Sequence, residues 1–529
     1  MAALILTKLI GLLTFGRWAD SDECVVGIMA KHILEQGVHP LYYYGQPYGG
    51  GGSIEAHTAV LFYWLFGISS WSLKLTALLY TTVGAVVVYG LGVRLGGLRV
   101  GLCTLAVYIT MPALIVWGLM VRGGYVVMLV LIPAILWTTD RILHRQRVDH
   151  LAALFLMALS VLSYWNMPSS VPLVLLIVVF SITYWLRRRQ FNLVLGYGAY
   201  LLAGAIGTLL WRPGNLVELL SRLASPGGES LVEPLRTRLF VFVGEVLPDF
   251  FQPHLNTAVY GIDWPAPVTL VLFAMAMGVA GYRQKKKGSR GSVADPTVLL
   301  ILLYVLFFVV CMLCAPPSML GLPPRYLFPL VPAVAIIGGL AIAKLSWRMR
   351  TCLLGYVTAS FLFFNAGLVL KPRLYEHWTF YDPAEIQALI RTLDKAGLRL
   401  VRTTYILQWR LLFETHERVI AVNIAEFCRF PAYKEILRRS AREPGAKLAW
   451  VFRKDGRWAR VFLGLTPQEF AEKHFRQKNV RYDTIDAEPY VIFVTYPFSV
   501  ADTPAESPPR RAETQGTGGD HQDPPRKPD

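Results

Sequence analysis

The sequence predicts an all-α polytopic membrane protein of about 11 transmembrane helices, followed by a small extracytoplasmic α/β domain. Three observations carry this expectation. Of 529 residues, 54% are hydrophobic and 16% charged, whereas soluble domains carry about 25% charged residues. The apolar residues lie in blocks, most of which end before residue 371. Crossing a hydrocarbon core takes about 20 such residues in a helix. Finally, the basic residues fall in alternate connections between the blocks, the pattern that orients a chain in a bilayer.

The candidate spans, in order, are 2–17, 71–93, 100–117, 124–140, 151–164, 168–186, 192–211, 265–282, 297–315, 326–343 and 351–369. The first has the length of a secretory signal. The residues after it, Arg17-Trp18-Ala19-Asp20, offer no small-residue cleavage site, so it reads as a short span. The segment 55–68 is too short to span and rich in aromatics, which suits the headgroup level, and 237–252 is similar.

Charge sets the orientation. Arg94 and Arg99, then Arg141, Arg145 and Arg147, then Arg187 to Arg189, Lys285 to Lys287, and Lys344, Arg348 and Arg350 occupy every second connection. These are expected in the cytoplasm with the N-terminus. Connections 18–70, 118–123, 165–167, 212–264 and 316–325, and everything after 370, then lie outside a cell (inner) membrane. Four arginines break the pattern at outer ends: Arg17, Arg122, Arg212 and Arg325. Charges near spans that break the pattern are candidates for function. The net charge of +17 is thus a matter of topology and membrane lipids; no basic face suggests a nucleic-acid partner.

Three regions follow: a transmembrane domain 1–370 with a long first outer loop 18–70, an outer domain 371–500, and a tail 501–529 whose aperiodic polar composition predicts disorder. In the outer domain 398–404, 418–423, 447–453 and 489–496 read as strands, and 383–396, 431–442 and 466–478 as helices. The six cysteines form no framework. Cys311 and Cys314 lie in an apolar run with no second pair, which argues against a metal or redox site.

The loop 18–70 holds the candidate chemistry. Asp20, Asp22 and Glu23 precede an amphipathic run from Cys24 to Leu34. Asp20 with Glu23 three residues on is a capping-box pattern. The same acids at the outer mouth of a span also suit a general base. Both readings stand, and they are compatible. Further along come Tyr42, Tyr43, Tyr44 and Tyr48, a glycine run, Glu55 and His57. The tyrosines suit either an aromatic belt or sugar stacking; Glu55 and His57 suit either a helix start or substrate binding.

The loop resembles that of the GT-C membrane glycosyltransferases, and more narrowly the family-39-like group of protein O-mannosyltransferases and aminoarabinose transferases. The resemblance rests on Asp22-Glu23 at a helix start, Tyr44-Gly45-Gln46-Pro47-Tyr48-Gly49-Gly50 with Ser53-Ile54-Glu55-Ala56, Arg122-Gly123-Gly124-Tyr125, and Pro324-Arg325-Tyr326-Leu327-Phe328-Pro329-Leu330-Val331-Pro332. It spans about the first 370 residues. It implies an inverting transferase that moves a sugar from a polyprenyl-phosphate donor to an outer acceptor of unidentified class. Asp22, with Glu23 beside it, would be the base. Arg325, Arg122 and Tyr326 would meet the donor phosphate, and Asp20, Tyr48, Glu55 and His57 the substrate. Many relatives carry an acid shortly after Arg-Gly-Gly-Tyr; here Val126, Val127 and Met128 follow. Asp20-Ser21-Asp22 has the form of a DxD metal motif, but this family often needs no metal, so no cofactor or metal ligand is assigned. The competing readings are a transporter or flippase of a lipid-linked substrate, and a non-catalytic scaffold of the same fold.

Overall fold

The computed structural model describes residues 2–45, 51, 53–211, 237, 295–314, 324–370 and 381–496, except 426–428, 444, 457–458 and 461–462. The expected span 265–282, nearly all of 237–252 and the tail 501–529 lie outside the described residues.

Helix α1 (Ala2–Phe15) leads into the outer loop, which folds as α2 (Ser21–Gln36) and α3 (Ile54–Phe66). Helix α3 buries Glu55, Ala56, Ala59 and Tyr63 and turns Trp64, Leu65 and Phe66 outward. That arrangement fits the interfacial segment expected there. Next is α4 (Ser70–Ile109), in which Gly96 and Gly97 leave the helical conformation, Gly97 at φ 77°. Gly92 lies against Gly101 and Thr104, and the Tyr108 hydroxyl donates to the Thr81 carbonyl at 3.2 Å. The two arms therefore fold back on each other, matching the two expected spans joined at Arg94–Arg99. The second arm stops sooner than expected because Pro112 follows it and opens α5 (Pro112–Val116).

The helices α6 (Tyr125–Leu143), α7 (His150–Asn166), α8 (Val171–Arg187) and α9 (Phe191–Trp211) coincide with expected spans. So do α10 (Pro296–Cys314), α11 (Val331–Ala343) and α12 (Trp347–Leu370). Ser70–Ile109, Tyr125–Leu143 and Pro296–Leu313 are long and apolar enough to cross a membrane. Exposed Val179, Leu195, Leu202 and Leu306 on these helices find an apolar solvent only in lipid. The chain is a membrane protein. At one end of the bundle Asp140 joins Arg94, Thr297 and His144, which brings the connections at Arg94 and at Arg141–Arg147 to one side.

The C-terminal part is a five-stranded mixed sheet in the order β2-β1-β3-β5-β4. The strands are β1 (Leu400–Thr403), β2 (Ile420–Asn423), β3 (Leu448–Arg453), β4 (Tyr482–Ala487) and β5 (Tyr490–Thr495). β1 runs parallel to β2 and β3; β5 is antiparallel to β3 and β4. The helices are α13 (Pro383–Lys395), α14 (Tyr405–Glu414), α15 (Pro431–Ser440) and α16 (Pro467–His474). Two elements depart from expectation. β4 is a mostly exposed edge strand with no apolar alternation to reveal it. α14 is buried from Ile406 to Phe413 and apolar nearly all round, so it carries no amphipathic period.

α14 is the element that docks the sheet onto α2. Gly27 of α2 leaves no room for a Cβ beside the Phe413 ring. Arg410, buried in the joint, donates to the carbonyls of Ala19 and Arg17 and pairs with Glu414 at 3.0 Å. Just beyond α14, Glu417 binds Lys31 at 2.5 Å, His32 at 3.0 Å and the Tyr433 hydroxyl at 2.6 Å. Burial raises the Glu417 carboxyl, but these hydrogen bonds outweigh it and bring the pKa down to about 2. Substituting Arg410 by Met strands the buried Ala19 carbonyl and takes a partner from the Arg17 carbonyl and from Glu414, at a cost of about 3 kcal/mol. The thermal unfolding midpoint of R410M should fall well below wild type, while R439M, which breaks only the exposed pair with Glu435, leaves it unchanged.

Candidate active site

The site grows from the start of α2. Asp20 is its N-cap: Glu23 N donates to Asp20 Oδ1 at 2.7 Å, and Asp20 N donates to Glu23 Oε2 at 3.2 Å. The capping box expected from spacing is present. Both side chains are fully buried. Glu23 is also paired with Lys74 of α4 at 2.7 Å and accepts from Val121 N at 3.1 Å. Asp20 is paired with Arg122 at 2.5 Å. Burial pushes the Asp20 carboxyl up, against the pull of Arg122.

Asp22 differs from both neighbours. Its side chain keeps 22% of its surface exposed. Oδ1 accepts from the Tyr405 hydroxyl at 2.9 Å and from Arg429 at 3.3 Å, and Oδ2 faces Arg122 at 3.4 Å. Its backbone carbonyl accepts from the Tyr43 hydroxyl at 2.7 Å. The Arg429 guanidinium lies between the rings of Tyr43 and Tyr405, 4.9 and 5.2 Å from their centroids. Arg429 crowds Gly45, whose positive φ of 63° and missing Cβ permit the approach. Arg122 stacks over Trp117 at 5.1 Å. Three carboxylates, Asp20, Asp22 and Glu23, thus meet three cations, Arg122, Arg429 and Lys74.

The other expected residues are placed as follows. Glu55 is buried against the backbone amides of Gly123, Gly124 and Val126, beneath the Arg-Gly-Gly-Tyr turn, which Asn166 braces by donating to the Gly124 carbonyl at 2.8 Å. His57 is exposed; its ring stacks on His39 at 5.7 Å and its Nδ1 lies 2.9 Å from the Ser53 carbonyl. Tyr48 lies outside the described residues. Arg325 and Tyr326 sit in a 3-10 turn, Pro324–Leu330, packed on α5 and α6, the elements that flank Arg122; their side chains lie outside the described residues. Sequence reasoning missed Tyr405, Arg429 and Lys74. Tyr405 and Arg429 come from the outer domain, and nothing local to either marks it. Lys74, a lone charge near the start of a 40-residue apolar helix, was a visible signal.

One set of side chains has the geometry of a metal site. Asp140, His144 and Asp295 each bring a ligand atom within 4.8 Å of the others. Asp140 is also engaged by Arg94 and by Thr297 at 2.8 Å. The set lies among the basic connections, away from Asp22.

Burial raises Glu55 to about 7, despite the backbone amides that stabilise its charge. Between the unperturbed value of 4.5 and about 7 the folded protein keeps a proton the unfolded chain has lost. Stability contributed by this group is therefore full below about 4.5 and falls as pH rises towards 7. E55Q should flatten that part of the decline in unfolding midpoint measured from pH 5 to pH 8. A midpoint that falls as steeply in the variant would remove Glu55 as its source.

No family model matches the chain, and no curated protein matches its sequence. Solved structures do. ArnT from Cupriavidus metallidurans bound to undecaprenyl phosphate aligns at a TM-score of 0.57 and 14% identity, covering 92% of this chain and 96% of that one. The apo state of ArnT aligns at 0.56 and 13%, covering 93% and 98%. The oligosaccharyltransferase of Archaeoglobus fulgidus gives a weaker match, at 0.43 and 13%, covering 96% and 75%. Alignment over nearly the whole of both chains extends to the outer sheet as well as the helices: the protein has the GT-C fold seen in ArnT.

Proposed function

We propose that the protein is an inverting glycosyltransferase that moves a sugar from a polyprenyl-phosphate donor to an acceptor outside the cytoplasm. The observation that carries this reading is the environment of Asp22. It is the acid at the start of α2 that keeps solvent access, while its neighbours are consumed in capping and buried pairing. The fold shared with ArnT, a protein captured with undecaprenyl phosphate, supports the donor class. The gathering of Arg94, His144 and Arg141 at the end of the bundle remote from Asp22 is consistent with a cytoplasmic N-terminus and an outer C-terminal domain.

In this mechanism an Asp22 oxygen takes the proton of the acceptor hydroxyl. The hydroxyl oxygen forms its bond to the anomeric carbon as the bond from that carbon to the phosphate oxygen breaks, and the phosphate leaves carrying the electron pair. Tyr405 and Arg429 hold the carboxylate at a set angle. The departing phosphate gains charge and needs cations. Arg325 supplies one. Arg122, whose planar fork carries five N–H donors and which faces Asp22, supplies a second, and Tyr326 contributes to the same phosphate subsite. Glu55 lies under the Arg-Gly-Gly-Tyr turn, and it or Glu23 supplies the second carboxylate of this mechanism.

The four polar partners of Asp22 also favour a second reading, a scaffold in which this acid is purely structural. A transfer assay with a labelled polyprenyl-phosphate sugar separates the two. D22N should lower turnover by about 10²- to 10⁴-fold while the protein stays inserted and still binds the lipid phosphate. Normal turnover by D22N would sink the assignment of the base. R325A should weaken donor use far more than acceptor use; an unchanged donor KM would take Arg325 out of the site.

A further inference from the structure

Arg17 breaks the charge pattern of the sequence, and the chemistry at Asp22 does not employ it. It lines a cleft of about 730 Å³ between the membrane body and the outer sheet. One wall is Thr14 and Arg17 at the end of α1, with Ser69 and Ser70 at the start of α4. The other wall is the N-terminal stretch of α13 as far as Arg391, with the end of α14.

The charge of this cleft is unevenly committed. Asp382 is used as the α13 cap, accepting from Ala384 N at 2.8 Å. Glu414 is bound by Arg410 at 3.0 Å and Gln387 at 3.2 Å. Arg17 and Arg391 are both exposed, and among the described residues neither guanidinium has an ionic partner. The N-termini of two helices, α4 at Ser69 and α13 at Asp382, face the same space, and each brings partial positive charge. The Arg17 backbone is held by Arg410, which donates to its carbonyl at 2.7 Å, so the guanidinium springs from an anchored point.

The surfaces beside the cleft are apolar and outward. Leu9, Ile10 and Leu13 of α1 are exposed, Leu13 at 77%, as are Trp64 at 72% and Phe66 of α3. These are lipid-facing side chains, so the cleft opens where the hydrocarbon ends and headgroups begin. It is separate from the site at Asp22. Tyr405 touches Asp22 at one end of α14, and Glu414 lines the cleft at the other. At 1.5 Å per residue the two ends are roughly 14 Å apart.

We propose that this cleft binds the phosphate of a lipid headgroup in the outer leaflet, with Arg17 and Arg391 as its cations and Ser69 and Ser70 as hydroxyl donors. The phosphate can belong to a resident membrane phospholipid or to a phosphate-bearing acceptor lipid; the second source rests on the transferase reading, the first does not. The test uses the purified full-length protein in mixed micelles, with phosphatidylglycerol or phosphate-free diacylglycerol as probe and native mass spectrometry as readout. Wild type should retain phosphatidylglycerol over diacylglycerol. R17Q/R391Q should lower that retention about thirtyfold, the scale expected for two arginines beside a headgroup. R145Q/R147Q, an equal change of charge in an exposed basic connection, should leave it intact. In the transfer assay, a raised acceptor KM with an unchanged donor KM in R17Q/R391Q identifies the phosphate as the acceptor's. Unchanged KM values with lost retention identify a membrane phospholipid. Wild-type retention by R17Q/R391Q, or an equal loss in R145Q/R147Q, overturns the proposal. A wild-type protein without transferase activity would sink the transferase reading but leave the retention result standing.

Discussion

The outer half of the molecule depends on the buried ion pair between Glu23 and Lys74. Neither charge has water to solvate it, and removing either partner of such a pair costs about 3–5 kcal/mol. The pair therefore forces three segments together. Glu23 fixes the first turn of α2 through the cap, Lys74 fixes the first turns of α4, and Val121 N and the Leu119 carbonyl bind the two side chains from the loop between α5 and α6. Arg122 is the next residue of that loop. The buried pair thus sets the loop that carries Arg122 beside the start of α2, where its own pairs with Asp20 and Asp22 complete the contact.

The second constraint is the joint made by α14. An outer sheet tethered only through residues 371–380 would be free to sample many positions. Arg410 and Glu417 remove that freedom by binding α2 and the residues before it at several points. The consequence reaches the site. Tyr405 opens the docked helix, and Arg429 precedes α15, so both arrive at Asp22 because the joint is rigid. Cations and aromatic rings around one carboxylate then come from chain segments separated by 383 and 407 residues.

That separation explains what the sequence could and could not disclose. The helix pattern, the turn at Gly96–Gly97, the cap at Asp20 and the C-terminal strands β1, β2, β3 and β5 are local or periodic features, and they were legible. Arg122 was legible as a candidate, though the resemblance assigned it to the donor phosphate, and its pairing with Asp20 and Asp22 emerges only in the structure. Tyr405 and Arg429 were not, because neither has a neighbour in sequence that signals its partner. α14 escaped for a related reason: a helix buried on every side has no polar face, so the periodicity that reveals an amphipathic helix is absent. β4 failed in the opposite sense, as an exposed edge strand whose residues look like loop.

The cap and the proposed base draw on different acids of the same turn. A capping box uses the N-cap and the third helical position, here Asp20 and Glu23. Those two side chains turn back over the open end of the helix, and both are buried, Glu23 against Lys74 and Asp20 against Arg122. Asp22 stands at the second helical position, about 100° around the axis from Glu23. It cannot join the cap and has no reason to point inward. Asp22 is therefore left out of the cap with part of its surface exposed, between two buried neighbours, an arrangement that suits the proposed base. Spacing alone separates the roles once the helix start is fixed. Of the three acids, Asp22 is the one that stays outside the cap and keeps solvent access, which is what the proposed role as base requires.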